Sequence, residues 1–321
     1  MLKPILCAGL AVACSAGVAQ SQAQPRTFQV TTAPGVSLEV IDWGGSGRPL
    51  VFLPGGHLSA HQFDEFAPPL ADEFRVLGIS RRGSGASSDV PPDSLGELVD
   101  DIAAVLDSLD LRRPVLVGHS FAGMEMALFG EKYPDRCGGL VYLDAAYDYT
   151  DPDVERVFTQ APPPPPPPMT TADSASFQAV RAYGERINRF RMPDSEIRGV
   201  HRWDADGRMV ERVITESQKR MGALVRAPRW EAIHCPSLGM YPVPSPLENW
   251  LGWYDSLTPE EREAGEAYVR EYGRWTATQR EKFGSVPRNR IAEFPNTGHY
   301  FFLEKQDEAR QIIRDFVRSL P

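Results

Sequence analysis

The stretch VLVGHSFAG, residues 115–123, decides the fold of this 321-residue chain. Its first residues are apolar or small and predict a buried strand, and a helical pattern begins directly after Ser120. A serine at such a strand-to-helix turn takes a strained backbone conformation, so the residues two positions before and after it must be small. Gly118 and Ala122 meet this requirement. The stretch therefore predicts an exposed serine at the carboxyl end of a strand.

Short apolar runs alternate with helical patterns on both sides of this turn. The clearest helix spans residues 95–109 and opens with Ser94 and Glu97, which predict a capping box. A second helix is predicted to begin with Thr258 as its cap, and a last one covers residues 308–320. Such alternation is typical of an α/β fold, in which helices cover both faces of a mostly parallel, eight-stranded sheet. The predicted strands are Phe28–Thr31, Ser37–Asp42, Pro49–Leu53, Val76–Ser80, Val115–Gly118, Leu140–Asp144, Ser237–Tyr241 and Arg290–Phe294.

The pattern changes between residues 147 and 234. This segment lacks strand alternation, contains a run of seven prolines from Pro162 to Pro168, and continues as amphipathic helices rich in Arg and Glu. We interpret it as a cap inserted into a core made of residues 24–146 and 235–321. The proline run is expected to form a semi-rigid strut or surface loop, and a docking motif for a proline-reading partner is the alternative.

Charge and composition limit the classes of partner. The chain carries a formal net charge of -9, with 42% hydrophobic and 24% charged residues. Nucleic acid is excluded as a partner because binding to phosphates needs clustered Lys and Arg. A single catalytic domain acting on a small molecule fits the length and composition, and the oligomeric state cannot be derived from them.

The first 23 residues are typical of a secretory signal peptide. One lysine precedes an apolar stretch that is too short to span a bilayer, and small residues follow around Ala19 and Ala23. Cleavage after either alanine would leave an exported protein, periplasmic or secreted, without stable membrane insertion. A lipoprotein modified at Cys14 is the minor alternative.

Two cysteines remain after removal of this segment. Cys137 and Cys235 each precede a predicted strand, and the starts of neighbouring parallel strands lie side by side. An oxidising compartment permits a disulfide between them, whereas two buried free thiols are the equally plausible alternative.

Three further loops join the serine turn in a recognisable order. LPGGH ends at His57 after the third strand, RGSGAS covers residues 82–87 after the fourth strand, and NTGH ends at His299 after the last strand. From Val36 onwards the chain resembles an α/β-hydrolase of the capped esterase, lipase and proline iminopeptidase kind. The resemblance implies that Ser120 is the nucleophile. It also implies that His299 is the general base, since its loop can return to the serine.

The glycine loop is expected to stabilise a developing oxyanion. The backbone amides of Gly56 and Phe121 are the predicted donors. Pro54 stands where the family usually has histidine, which leaves the amide of His57 as an alternative to that of Gly56. The side chains of His57 and His119 are candidate substrate-binding groups, and the position of His119 suits packing of the loop equally well.

The acidic partner of His299 is the least determined part of the site. The stretch after the seventh strand lacks the expected aspartate. Asp144, at the end of the preceding strand, is the favoured candidate because a carboxylate there can hold the imidazole tautomer. Glu248 is the alternative, and Asp148 is a third candidate.

These residues together predict acyl transfer to water, with ester, lactone or amide bonds as substrates and neither a cofactor nor a metal required. A proline iminopeptidase-like activity is the alternative, in which Glu185 or Glu196 of the cap binds a substrate amine. A ligand-binding protein with little turnover and a perhydrolase or haloperoxidase-like enzyme also stay open. Five aromatic residues are candidate pocket linings or cap core: Tyr183, Phe190, Trp203, Trp230 and Trp253.

Overall fold

A computed structural model describes residues 24–160, 162–243 and 246–321. The predicted signal peptide lies outside the described residues. The described residues contain ten strands, of which eight form one sheet and two form a separate hairpin. Their bounds are Arg26–Ala33 (β1), Val36–Gly44 (β2), Pro49–Leu53 (β3), Arg75–Ile79 (β4), Val115–His119 (β5), Gly139–Leu143 (β6), His201–Trp203 (β7), Met209–Arg212 (β8), Ser237–Val243 (β9) and Asn289–Pro295 (β10).

The large sheet has the order β1-β2-β4-β3-β5-β6-β9-β10. Strand β2 runs antiparallel to both neighbours, and every pair from β4 to β10 is parallel. All eight predicted strands and the predicted fold class are therefore confirmed. Because the parallel strands share one direction, the loops that follow β3, β5, β6, β9 and β10 meet along one edge of the sheet.

Helices cover both faces of the sheet. Successive residues of β5 point to opposite faces of the sheet. Leu116 packs in the hydrophobic core that includes α1, α2 and α8, and Val117 packs in the core that includes α10. No helix within the described ranges is long and apolar enough to cross a bilayer. The helix bounds are Leu95–Ser108 (α1), Ala122–Lys132 (α2), Asp153–Glu155 (α3), Phe177–Asn188 (α4), Asp194–Gly199 (α5), Glu216–Arg220 (α6), Leu247–Trp250 (α7), Pro259–Gly284 (α8), Phe301–Glu304 (α9) and Gln306–Arg318 (α10).

The predicted helix caps form with one difference. Ser94 accepts a hydrogen bond from the amide of Glu97, but the carboxylate of Glu97 binds Arg82 instead of returning to the cap. Thr258 and Glu261 form both halves of a capping box at the start of α8. The strong guanidinium partner explains why the first box is only half formed.

The segment of residues 147–234, called the insert below, lies between β6 and β9. Besides α3 to α6 it contains the antiparallel hairpin β7–β8, so the expectation that it lacks strands is wrong. The two strands have three and four residues and are mostly exposed, which leaves no apolar alternation to detect. The proline run forms no regular element, and Tyr183 of α4 donates a hydrogen bond to the carbonyl of Pro167.

Cys137 and Cys235 form a disulfide, with their Cα atoms 5.9 Å apart. Each cysteine lies just before a strand, β6 and β9 respectively, and these strands are parallel neighbours. The structure thus selects the disulfide over the two free thiols. The bond ties the amino ends of the strands, which are opposite to the edge where the loops of the predicted site meet.

Candidate active site

Ser120 follows β5 directly and has a φ of 54°, in the left-handed region that non-glycine residues rarely adopt. A Cβ on Gly118 would lie 2.8 Å from Met126 and 2.9 Å from Ala122, so only glycine fits there. A Cβ on Gly123 would lie 1.8 Å from the carbonyl oxygen of Ala145, so this glycine lets α2 pack on the loop after β6. Three small residues thus bring the strained serine to the carboxyl edge of the sheet.

Asp144 and His299 meet at the same edge. The imidazole Nδ1 of His299 lies 2.5 Å from the Oδ2 of Asp144, which is fully buried, whereas the histidine side chain is 39% exposed. Two phenols also donate to this carboxylate: Tyr147 to Oδ1 and Tyr272, over 3.3 Å, to Oδ2. A buried carboxylate with three donors is a fixed acceptor that orients the imidazole.

The phenols remain donors over the physiological pH range. Burial, followed by the charge of Asp144, raises the pKa of Tyr147 and of Tyr272 well above the usual value of 10.0. Burial and then the same charge also raise the pKa of Tyr149, whose phenol is in hydrogen-bonding contact with the side chain of Ser120. All three tyrosines are therefore neutral groups around the serine and the aspartate.

The other two candidate acids lie elsewhere. Glu248 is exposed in the first turn of α7, and Asp148 accepts hydrogen bonds from the amide and hydroxyl of Thr150. The structure thus brings Asp144, the favoured candidate, to His299.

The two predicted oxyanion donors lie side by side. A Cβ on Gly56 would be 3.6 Å from the Cβ of Phe121, and Gly56 lines the space around Ser120. Among the described residues, no hydrogen bond engages the amide of Gly56 or of Phe121. The neighbouring amide of Gly55, in contrast, donates to Gln62. This geometry agrees with the prediction that Gly56 and Phe121 face a developing negative charge.

A buried ion pair fixes this arrangement. Arg81 donates to the carbonyl oxygens of Pro54 and Gly55, each over 2.7 Å, and binds Glu125 of α2 through two further hydrogen bonds. Both charged side chains are almost fully buried. The guanidinium also lies 5.1 Å from the ring of Phe121. Arg81 therefore joins the glycine loop to the helix that begins at the nucleophile turn.

The two histidines predicted to bind substrate occupy different environments. His57 is exposed and lines the space beside Ser120. His119 is fully buried, its Nε2 donates to the carbonyl oxygen of His299 over 3.1 Å, and its ring lies 4.4 Å from that of His299. Burial, with the charge of His299 second, lowers the pKa of His119 well below 6.5. The buried ring of His119 packs beneath His299 and also borders a smaller space beside Ser120, so its role in substrate binding stays a prediction.

A cavity of about 580 Å³ opens beside Ser120 and His299; we call it the aromatic cavity. None of the five aromatic residues proposed from the sequence lines it, because their positions along the chain did not reveal which side chains face the site. The side chains that line it come mainly from the loop after β6, from α7 and from α8. Its aromatic members are Phe121, Tyr147, Tyr149, Phe158, Trp250, Tyr268, Tyr272 and Trp275.

One signal for these residues was present in the sequence. Tyr268, Tyr272 and Trp275 are spaced four and three residues apart, which places them on one face of α8. The spacing predicts a buried stripe but does not distinguish core packing from a cavity wall. Tyr147 and Tyr149 had no such pattern, because they lie in an irregular loop.

Glu185 and Glu196, the candidate amine-binding residues, line a second cavity of about 270 Å³. Glu196 is fully buried and accepts hydrogen bonds from the amide and the hydroxyl of Ser59. Its carboxylate therefore binds the insert to the core and lies outside the lining of the aromatic cavity.

Parts of the chain are similar in sequence to known enzymes. The chain is 37% identical over 109 residues to a bifunctional esterase/perhydrolase of Acinetobacter calcoaceticus, and 41% identical over 123 residues to a non-heme chloroperoxidase of Streptomyces lividans. The two matches cover 33% and 36% of this chain and 40% and 44% of those relatives. The chain thus matches less than half the length of either relative.

Solved structures extend the likeness to nearly the whole chain. An E-2-(acetamidomethylene)succinate hydrolase superposes with a TM-score of 0.64 at 17% identity, over 92% of this chain and 100% of the other. Carboxylesterase CesB from Bacillus subtilis superposes with a TM-score of 0.57 at 16% identity, over 92% of each chain. At such identities the likeness is one of fold. Residues 50–312, most of the sequence, match the alpha/beta hydrolase family, and with the topology and the serine turn described above the chain belongs to that family.

Proposed function

We propose that this protein is a serine hydrolase that cleaves an ester bond through an acyl-enzyme intermediate. The observation that carries the proposal is the hydrogen bond between the buried carboxylate of Asp144 and His299, at the edge where Ser120 is exposed. A nucleophile, a base and an orienting acid from three separate loops are the arrangement that acyl transfer needs.

The proposed reaction has two steps. His299 takes the proton of Ser120 as its oxygen attacks the ester carbonyl, and the amides of Gly56 and Phe121 stabilise the oxyanion. The protonated imidazole then gives that proton to the departing alcohol, which leaves an acyl group on Ser120. Water, activated by His299, attacks the acyl-enzyme and releases the acid and the free serine. Asp144 stays ionised and holds the imidazole throughout.

An ester fits better than a peptide with a free amino end. The peptidase alternative requires a carboxylate that faces the substrate amine. Glu185 and Glu196 line the other cavity, and Glu196 is already saturated by Ser59. Relatives and neighbours whose names include esterase or carboxylesterase favour the same substrate class.

Perhydrolysis is a second candidate activity of the same site. It is favoured by the relatives named as a perhydrolase and a chloroperoxidase. In that reaction hydrogen peroxide replaces water, attacks the acyl-enzyme on Ser120 and leaves as a peroxy acid. Peroxy acid formation in acetate and hydrogen peroxide, lost in a Ser120→Ala variant, would support this candidate, and its absence in an enzyme that hydrolyses esters would reject it.

We also propose that the protein is exported. The disulfide between Cys137 and Cys235 supports export, because such bonds persist in oxidising compartments. Amino-terminal sequencing of the protein recovered from the periplasm or medium is expected to begin just after Ala19 or Ala23. Recovery of the uncleaved chain from the cytosol alone would contradict the proposal.

Hydrolysis of p-nitrophenyl acetate by the parent, Ser120→Ala and Ser256→Ala proteins tests the main proposal. Ser256 is an exposed serine that lines neither space beside Ser120, and it serves as the matched control. We expect Ser120→Ala to lower kcat by at least about 1,000-fold, because the residual catalysis comes from the oxyanion donors alone. Equal rates for the parent and Ser120→Ala would overturn it. No turnover by a folded parent would favour the ligand-binding alternative.

A further inference from the structure

We propose that the aromatic cavity takes an uncharged, ring-bearing group of the ester, an aryl or cyclic hydrocarbon group, and that the other half of the ester is small. This inference rests on the proposed ester hydrolysis and names its substrate class. Its basis is the composition of the walls, the absence of an unpaired charge among the lining residues that the structure describes, the apolar rim and the sizes of the two spaces beside Ser120.

The walls present rings from three segments. On α8, Tyr268 and Tyr272 stack with their ring centroids 5.7 Å apart. Trp250 of α7 meets Tyr272 edge-on at 5.3 Å, and Phe158 of the insert meets Trp275 edge-on at 5.7 Å. Offset and edge-to-face contacts are the geometries that aromatic rings prefer. A planar group that enters the cavity can extend these contacts on several sides.

Charge selects against ionised groups. Among the described lining residues, only His57, Asp144 and His299 have acidic or basic side chains other than phenols. Asp144 is already saturated by its three donors. Burial raises the pKa of the phenols of Tyr149 and Tyr268, which therefore line the cavity as neutral groups. An anionic substrate group would lose its hydration here without gaining a fixed cation, which is unfavourable by several kcal/mol.

Two arginines outside the buried pair of Arg81 and Glu125 face a different cavity. Arg181 and Arg212 both line the second cavity of about 270 Å³, on the side of the insert that contains Glu196. They do not belong to the lining of the aromatic cavity. Neither Arg181 nor Arg212 is therefore placed to pair with an anionic group in the aromatic cavity.

The rim of the aromatic cavity is apolar and exposed. Phe158 is 42% exposed and Val225 is 40% exposed, and both line the cavity. They are two of the seven large apolar side chains left exposed in the described part of the chain. Apolar residues grouped at the mouth of a cavity mark a site where apolar surface becomes buried on binding.

The two spaces beside Ser120 differ in size. The aromatic cavity has about 580 Å³, whereas the space on the side of His119 and Tyr300 has about 160 Å³. The larger volume lies within the range of small-molecule sites, roughly 300 to 1,000 Å³. The smaller one, which also contains Gly55 and His57, holds only a short acyl or alkoxy group.

Four esters followed by pH-stat titration test this inference: methyl acetate, its two isomeric ring-bearing relatives methyl phenylacetate and benzyl acetate, and monomethyl succinate. We expect kcat/KM for at least one ring-bearing ester to exceed that for methyl acetate by at least about tenfold, since a buried ring contributes about 1.5 to 3 kcal/mol. Monomethyl succinate is expected to react no faster than methyl acetate. A preference for the succinate, or none for either ring-bearing ester, would overturn the inference. No hydrolysis of any ester, p-nitrophenyl acetate included, would overturn the proposed function instead.

Two exposed valines, one on the rim and one outside the cavity lining, test whether the preference for a ring-bearing ester arises in the aromatic cavity. Val225 lies on the rim, and Val210 of β8, 45% exposed, lies outside the cavity lining. We expect Val225→Glu to reduce the preference for the ring-bearing ester over methyl acetate by about tenfold. Val225→Gln introduces an uncharged side chain of the same shape as Glu and should reduce this preference less. Val210→Glu should leave the preference unchanged. Equal preferences in the parent, Val225→Glu and Val225→Gln proteins would show that the ring does not enter this cavity.

Discussion

Strained backbone positions cluster around the candidate active site. Non-glycine residues with positive φ occur directly after four of the parallel strands or in the loops that follow: His57, Ser120, Asp144 and Asn296. Each such position costs of order 1 to 3 kcal/mol and persists only where surrounding contacts hold it. In this protein those contacts are the backbone hydrogen bonds between the parallel strands and the hydrogen bonds that Asp144 accepts. We infer that the strain directs the side chains toward the space in which an acyl group would lie.

The role of Asp144 is tested by replacing it with a residue of the same shape. Asp144→Asn is expected to lower kcat/KM for p-nitrophenyl acetate by about 10,000-fold, because an amide can hold the wrong imidazole tautomer. Glu248→Gln, at the alternative acid, should change it by less than about twofold, since an exposed side chain outside the lining of the site couples weakly to it. A large loss in Glu248→Gln with a small one in Asp144→Asn would reverse the assignment.

Single residues were predictable where a local pattern constrains them. Ser120 and Gly118 follow from the strand-to-helix turn, and His299 follows from its place after the last strand. Tyr147 and Tyr272, which donate to Asp144, could not be predicted. Tyr147 lies in an irregular loop, and Tyr272 reaches Asp144, 128 residues earlier in the chain, only in the folded protein.

At the scale of elements, Arg81 and Glu125 join the glycine loop to α2 and act as positioning residues. We expect Arg81→Met to destabilise the fold by about 3 to 5 kcal/mol, because it leaves the buried charge of Glu125 unpaired. It should also lower kcat by about 100-fold, since the loop with Gly56 loses its support. Chemical denaturation and ester hydrolysis measure the two effects, with the exposed residue Arg112 replaced by Met as the control.

The double variant Arg81→Met/Glu125→Leu separates the effect of this pair on the position of the glycine loop from its effect on stability. Removing both charges restores much of the free energy of unfolding, because no unpaired charge stays buried. The carbonyl oxygens of Pro54 and Gly55 still lack their donor, so kcat should remain low. Recovery of kcat together with stability would show that the pair has only a structural role.

Docking of the insert onto the core depends on Glu196. Burial, opposed by the hydrogen bonds from Ser59, raises the pKa of Glu196 from 4.5 to about 7. Because the folded chain holds this proton more tightly than the unfolded chain, the stabilisation is complete below pH 4.5 and is lost as the pH rises through about 7. The neighbouring cation of Arg212 lowers this pKa in part.

Thermal and chemical unfolding across pH measure this dependence. Relative to Glu196→Gln, the parent should lose roughly 2 to 3 kcal/mol of unfolding free energy between about pH 5 and about pH 8. His61 lowers the pKa of Glu196 in part. Burial lowers the pKa of His61, but its contacts with Asp64 and Glu39 raise it to about 10, so His61 stays protonated across this pH range. A difference between the two proteins that does not vary with pH would contradict the assignment.

The helices and strands were mostly predictable from the sequence, but the contacts between them were not. The strands and α8 follow from periodicity and caps such as Thr258. The hairpin β7–β8 was missed because short exposed strands carry no pattern, and the bond from Glu196 to Ser59 joins residues 137 positions apart. Periodicity reports which face of an element is buried but not the partner that covers it.

At the scale of the whole molecule, the disulfide and the site lie at opposite ends of the parallel strands. Cys137 and Cys235 are 98 residues apart, and the chain between them includes the entire insert. Closing a loop of that length restricts the unfolded chain, which stabilises the fold by about 2 to 5 kcal/mol. The disulfide therefore stabilises the scaffold without contacting the site.

Replacement of both cysteines by alanine tests this separation. We expect the free energy of unfolding to fall by about 2 to 5 kcal/mol, measured by denaturant titration under oxidising conditions. Ester hydrolysis at a temperature where the variant stays folded should change by less than about twofold, because the cysteines do not touch the site. An unchanged stability, or a large loss of activity in the folded variant, would contradict this account.

The architecture of the molecule could be predicted because it follows from the order of strands and helices. The volume and lining of the aromatic cavity could not, since they depend on how α7, α8 and the insert pack over the loops. Val225 and Phe158, for example, are far apart in the sequence of the insert but line the same cavity.

Covalent labelling by a fluorophosphonate tests the central claim, a nucleophilic Ser120, most directly. The parent is expected to gain one probe mass, located by peptide mapping on the peptide that contains Ser120. A folded Ser120→Ala protein should gain none, and the Ser256→Ala control should be labelled like the parent. Labelling of the Ser120→Ala protein at the same rate, or no labelling of a folded parent, would contradict the account.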